Sequence, residues 1–337
     1  MAATAPAARK RIQGARVLSG VQPTGVQHLG NYFGALRQFI ALQEGNQASY
    51  FMADLHSLTS IRDADERRAL THGVALDFLA LGVDPARSIL YRQSDLPEVT
   101  ELAWILTTVT PMGLLQRCVS YKEKLEAGLS PDHGLFAYPV LQAADILIWR
   151  ADWVPVGQDQ KQHLEVTRDI AGKFNRTYRE VLKIPEPYIL EDVAVVPGSD
   201  GRKMSKSYGN TIEMFAPEKT LRKQVMGIVT DSKGVDEPKD PDTSTIFQLY
   251  SLFANLEERA ALAEAFRRGG TGYGDVKKAL YEKVVAYFAP ARERRRALEA
   301  DRSAVEDILR DGAKRARAAV AELMDEVRHA AGVGPPK

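Results

Sequence analysis

The 337-residue chain contains one cysteine, Cys118, which excludes an internal disulfide and any multi-cysteine metal centre within the chain. No zinc or iron–sulfur cluster is expected, and a reducing, cytoplasmic setting fits. Long apolar runs are missing as well. Arg, Asp, Glu or Lys interrupts every stretch that approaches the length of a bilayer span, so a soluble protein with no membrane partner is predicted. Net charge of either sign is also lacking: 45 Lys and Arg stand against 44 Asp and Glu, a formal charge of +1. Any contact with nucleic acid must therefore come from local patches. What is present is an ordinary globular composition, 45% hydrophobic and 26% charged, long enough for one large domain and a smaller one.

Met1 to Ala15 carries Ala, Arg and Lys without an acid and reads as a flexible tail; it lacks the hydroxyl-rich amphipathic stretch of a transit peptide. Short apolar segments at Arg16–Val21, Ala48–Ala53, Ser88–Tyr91 and Trp153–Val156 predict strands. Between them, apolar residues recur at helical spacing over Asn31–Gln43, Asp65–Leu81 and Glu98–Thr108. This alternation predicts an α/β fold, a doubly wound parallel sheet with helices on both faces. Ligands in such sheets bind beyond the carboxyl ends of the strands, which directs attention to Gly20–Gly30, Asp54–His56 and Gly157–Gln160. From Pro217 onward the pattern is almost wholly helical, so a C-terminal helical domain over residues 216–337 is expected after a catalytic domain over 16–215, with part of the helical layer packed on the latter. Arg292, Arg294, Arg295, Arg296, Lys314, Arg315 and Arg317 are interspersed with acids and read as solvated helix faces, with a phosphate-binding patch as the alternative.

Two segments carry chemistry. Gly20-Val-Gln-Pro-Thr-Gly25 and His28-Leu-Gly30-Asn31 form a glycine-rich turn between the first strand and a helix start, where unpaired N–H groups and the helix dipole suit a phosphate. Lys203-Met-Ser-Lys206-Ser207 lies in a loop flanked by Pro197, Gly198 and Gly201, and two ammonium groups on a mobile segment suit a triphosphate whose charge shifts during transfer. Asp145 sits in the apolar helical run Tyr138–Trp149, where an acid needs a partner or bears a large desolvation cost. Residue chemistry alone favours a salt bridge to an arginine, or a place on the helix surface. His56 and His163 read as hydrogen-bonded structural groups and are given no metal.

Together the turn and the lysine loop resemble the class I aminoacyl-tRNA synthetases, in which such segments bracket ATP. Gly30–Ala35, Leu141–Leu147 and Val154–His163 narrow the resemblance to the tryptophanyl branch and extend it over nearly the whole chain. Asn31 stands where many classes have a second histidine, and Gln158 where many members carry glutamate. The resemblance implies a Rossmann-like catalytic domain, a helical tRNA-binding domain and a homodimer. It implies ATP as a substrate with Mg²⁺, no metal held by protein side chains, and L-tryptophan and tRNA(Trp) as partners. By the same resemblance, Gln22, Pro23, Thr24, His28, Gly30 and Asn31 hold ATP at the turn, Gly157, Gln158, Asp159 and Val195 meet the adenosine, and Lys203, Met204, Ser205, Lys206 and Ser207 close over the phosphates with help from Lys124. Asp145 accepts the indole N–H of tryptophan, with Tyr138, Gln142, Val154, Val156, Gln160, Leu18 and Gln22 completing its pocket. Two other readings stay open: a tyrosyl-tRNA synthetase and a noncatalytic RNA-binding paralogue.

Overall fold

Five parallel strands, β1 (Arg16–Val21), β2 (Gln47–Met52), β3 (Ile89–Arg92), β4 (Trp153–Val156) and β5 (Glu186–Ile189), lie in the order β3-β2-β1-β4-β5. The computed structural model describes residues 12–118, 128, 132–157, 160–189 and 196–334. Four strands fall within a residue of the segments marked by apolar runs. β5, Glu-Pro-Tyr-Ile, escaped that reading because an edge strand can carry a proline and needs no continuous apolar sequence.

The helices are α1 (Leu29–Asn31), continued by a π-helical turn (Tyr32–Leu36) into α2 (Arg37–Ala41), then α3 (Asp54–Ser57), α4 (Ala64–Leu81), α5 (Glu98–Val109), α6 (Met112–Gln116), α7 (His133–Leu147) and α8 (Lys161–Thr177). After the lysine loop come α9 (Glu218–Met226), α10 (Thr245–Ser251), α11 (Leu256–Arg268), α12 (Tyr273–Ala300) and α13 (Arg302–Ala331). Local chemistry sets their ends. The Asp63 side chain accepts from Glu66 N at 2.7 Å to open α4, and Gly82, at φ 113°, closes it in the left-handed region that a glycine enters without strain. Among the described residues no helix is long and apolar enough to cross a membrane.

The strand pleat distributes side chains to two cores, as a parallel sheet covered on both faces requires. From β2, Ala48, Tyr50 and Met52 join a core with α4 and α12, while Phe51 joins a second core with α5, α7 and α8. The last helix serves both: Val305 and Leu309 of α13 enter the first core, and Ala316, Val320, Leu323 and Val327 the second. Between these groups Gly312 lies so close to edge strand β3 that a methyl there would overlap the Leu90 carbonyl oxygen. The change in composition at residue 216 is thus not a boundary between cores.

Five of the seven basic residues expected on solvated faces also make specific hydrogen bonds to other elements. Arg292 donates to the carbonyls of Met214, at 2.5 Å, and Ala216; Arg294 donates to Ala80 O at 2.8 Å and Arg295 to Asp77 Oδ1 at 2.7 Å. Arg315 reaches Pro85 O and Ser88 O, and Arg317 reaches Asp95 O. Ala80 belongs to the last turn of α4, whose carbonyls lack helical partners, so a guanidinium fork supplies what the helix end needs. Arg294, Arg296, Lys314 and Arg317 are exposed as expected, and Arg292, Arg295 and Arg315 are half-buried.

Candidate active site

Strand order reverses between β1 and β4, and a cavity of about 970 Å³ opens there beyond their carboxyl ends. Fifteen of the residues singled out by sequence line it: Leu18, Gln22, Thr24, Gly30, Asn31, Tyr138, Gln142, Asp145, Val154, Val156, Gly157, Gln160, Lys203, Met204 and Lys206. Pro23 and His28 are buried behind the turn, and Ser205 and Ser207 sit on the loop away from the cavity wall. Lys124, Gln158, Asp159 and Val195 lie outside the described residues.

One end of the cavity is built on α7. Tyr138, Gln142 and Asp145 are spaced by four and three residues, which puts them on one helix face, toward the cleft. Asp145 is 1% exposed, and its partners are neither an arginine nor water at a helix surface. Gln93 Nε2 donates to both carboxylate oxygens at 2.8 Å, and His56 Nε2 lies 2.9 Å from Oδ2. Burial pushes the Asp145 carboxyl above its ordinary range, while the bonds from His56 and Gln93 pull it back. The Tyr138 hydroxyl meets His163 Nε2 at 2.7 Å, so both weighed histidines are hydrogen-bonded and both also face the cavity. Ser19 was not anticipated: it lines the cavity from β1, and its buried hydroxyl has no hydrogen-bond partner among the described residues.

At the other end the turn and the lysine loop touch. Gly30 N lies 3.3 Å from Met204 Sδ, and a side chain on Gly30 would press on both His28 and Met204. Leu29 N donates to Ile212 O at 2.9 Å, so the donors that sequence reasoning left unpaired for a phosphate are in part met by the loop segment. The cations then carry more of the task of meeting an anion. Lys206 lies over Gly25, where an added methyl would come within 3.2 Å of its Nζ. Burial lowers the Lys206 ammonium from its ordinary value, with Asp77 and Glu213 opposing. His28 is driven down to about 4 by burial and then by the Lys206 charge, so it is a neutral imidazole at neutral pH.

Asn210, three residues beyond Ser207 and given no role in the sequence, proves to be the fixed point of the loop. It is 2% exposed; its Oδ1 accepts from Ser205 N at 2.8 Å, and its Nδ2 donates to Asp200 Oδ1 at 2.7 Å and Lys203 O at 3.1 Å. The loop that carries Lys203 and Lys206 is thereby closed on one amide side chain.

A family model described as tRNA synthetases class I (W and Y) matches residues 10–289. The chain is similar to the tryptophan–tRNA ligase of Rhodopirellula baltica, 54% identical over 318 residues that cover 94% of this chain and 99% of the relative. It is 50% identical to that of Fusobacterium nucleatum over 319 residues, covering 94% and 98%. Among solved structures, the tryptophanyl-tRNA synthetase of Campylobacter jejuni complexed with ADP and tryptophan superposes with a TM-score of 0.91 at 47% identity, covering 94% of this chain and all of the other.

Proposed function

The chain belongs to the class I tRNA synthetases for tryptophan and tyrosine and is a tryptophan–tRNA ligase, and we propose that the two ends of its cavity divide the reaction between reading the amino acid and handling the phosphates. The enzyme activates L-tryptophan with ATP to tryptophanyl-adenylate and pyrophosphate, then transfers tryptophan to the 3′ end of its tRNA. The observation that carries the division is the buried Asp145 carboxylate at one end of a cavity whose other end is roofed by Lys203 and Lys206.

Asp145 accepts the indole N–H. An ionised carboxylate offers about four acceptor positions, and Gln93 and His56 occupy three. The remaining one is available to a donor from the cavity that Asp145 lines. A site built on such a bond disfavours any ring without a donor, because the buried acceptor would be left unpaired. Tyr138, Gln142, Val154, Val156, Gln160 and Leu18 wall the ring and backbone, and Ser19 offers a hydroxyl beside them. Gln22, Thr24, Gly30, Asn31 and Gly157 hold ATP, which arrives as its Mg²⁺ complex.

The tryptophan carboxylate is ionised at neutral pH and needs no general base. One of its oxygens bonds to the α-phosphorus, the bond from that phosphorus to the bridging oxygen breaks, and the electron pair leaves with pyrophosphate. Lys203 and Lys206 stabilise the charge gathering on that leaving group, an interaction stronger in the transition state than before it. A hydroxyl of the tRNA terminus then attacks the activated carbonyl and AMP departs.

The helical stretch from residue 216 onward binds tRNA. The protein acts as a homodimer, with which the large exposed apolar side chains Trp104 on α5 and Met112 on α6, 71% and 62% exposed, accord. A cytoplasmic location accords with the single cysteine. Tryptophan-dependent exchange of labelled pyrophosphate into ATP tests the central claim. Exchange with tryptophan and none with tyrosine is expected; exchange driven by tyrosine, or by neither amino acid, overturns it.

A further inference from the structure

Gln93 is 0% exposed and lies at the carboxyl end of β3, in a short turn that no motif marks. Its amide is used at both ends. Oε1 accepts from the backbone N–H groups of Leu55, at 3.1 Å, and His56, at 3.4 Å, at the start of α3. Those two donors fix which way the amide points, so Nε2 faces Asp145 and directs one hydrogen between the two carboxylate oxygens, each 2.8 Å from the nitrogen. The neighbouring residue reinforces the arrangement: Ser94 donates from N and Oγ to the Asp54 carboxylate, at 3.0 and 2.5 Å. The ends of β2 and β3 are thus laced to each other and, through one amide, to α7.

We propose that Gln93 is a positioning residue for amino-acid selection, holding the Asp145 carboxylate ionised and in one orientation so that its remaining lone pair meets the indole donor. The inference rests on the reading of Asp145 given above. Its physical content is that a carboxylate whose two oxygens share one amide donor cannot rotate without losing that two-sided contact, and that a donor to the charged form opposes the effect of burial on that form. His56 alone grips only Oδ2 and leaves the torsion free. The charged and titratable groups around Asp145 are His56 and Asp54 on α3, Tyr91 on β3, Tyr138 on the same helix, and His163 on α8, which meets Tyr138. Gln93 has no titratable group, so its donation does not change with pH.

The test compares tryptophan with an analogue carrying sulfur in place of the ring N–H, using pyrophosphate exchange from pH 6 to 9 in the intact enzyme. Gln93→Met removes the donor at similar volume, and Gln93→Glu replaces it with a group that donates only when protonated. Gln93→Met is expected to lower the preference for tryptophan about tenfold or more, leaving the analogue's kcat/KM and the KM for ATP near parental values. Part of that preference should return as pH rises and Asp145 ionises again. Gln93→Glu should show the opposite slope, keeping preference in acid and losing it as two carboxylates come to face each other. Parental preference in both folded variants at all pH values overturns the inference, as does an equal loss for tryptophan and the analogue. Asp145→Ala, measured alongside, separates the two levels: if it abolishes the preference while the Gln93 variants keep it, only the role of Gln93 falls. If Asp145→Ala keeps the preference, the reading of Asp145 falls and this inference with it.

Discussion

At the end of the cleft proposed for tryptophan a carboxylate 1% exposed is held by side chains from two other elements, whereas at the end proposed for the phosphates two lysines ride on a loop closed on the single amide of Asn210. The first arrangement is dense with short bonds between residues distant in sequence, and rearranging it would strand buried polar groups. The second meets the rest of the cleft through a few contacts, among them Gly30 N with Met204 Sδ and Leu29 N with Ile212 O. Selection gains from a partner that does not move, because the wrong ring then finds an unpaired acceptor instead of an accommodating one. Phosphate handling gains from cations that can follow charge onto the leaving group and then release it.

The sharpest way to break this comparison is Lys206→Ala. Loss of one charged group aimed at developing charge should slow adenylate formation by about 10²- to 10³-fold, as measured by single-turnover kinetics, with the Kd for tryptophan nearly unchanged. A parallel collapse of tryptophan binding would mean that the two ends are one unit. Asp145→Ala should produce the converse pattern, a fall in kcat/KM for tryptophan of roughly 10- to 100-fold from the lost charge-assisted bond, with the KM for ATP maintained. A variant that loses ATP and tryptophan alike would contradict the division.

A smaller effect is expected from Asn210→Ala, which leaves Ser205 N–H and Asp200 without their amide partner. Activation should slow by about tenfold, the kinetic equivalent of about one buried hydrogen bond, while selection between tryptophan and the sulfur analogue stays parental. Unaltered activation would remove Asn210 from its place as the fixed point. The smallest effect concerns His28, whose folded pKa of about 4 lies below its ordinary 6.5. Between those values the unfolded chain binds more protons than the folded one, so stability falls as pH drops through that window. By about pH 5.5 the parent should lose roughly 1 kcal/mol relative to its stability at pH 8 that a His28→Gln variant does not lose. Parallel pH profiles in urea denaturation would show that the imidazole is not held neutral.

The strands, the turn and the lysine loop were legible because each leaves a contiguous trace: alternating apolar segments, glycines at a helix start, lysines at fixed spacing. Asp145 was legible as an acid out of place in an apolar helix, yet its partners were not, since Gln93 is 52 residues away and nothing local marks it. A glutamine ending a buried strand was the available signal. The partners of the arginines of α12 and α13 were hidden for the same reason: interspersed with acids, these residues have the pattern of a solvated face, which Arg294, Arg296 and Arg317 keep, while carbonyls up to 230 residues away decide where Arg292 and Arg315 point. β5 was hidden by its proline, and the π-helical turn at Tyr32–Leu36 has no sequence pattern distinct from the helix around it.

The passage of α13 across β3 bears on the order in which the molecule can be made. Synthesis delivers the sheet before this helix, yet both cores draw side chains from it, and Gly312 brings its backbone against the edge strand. Until α13 emerges from the ribosome, the nascent sheet has an open edge and two incompletely covered faces, the condition in which strands pair with the wrong chain. Completion of these cores therefore waits for α13, and a message cut short anywhere within it would yield a chain with its glycine-rich turn and lysine loop intact and its sheet unguarded.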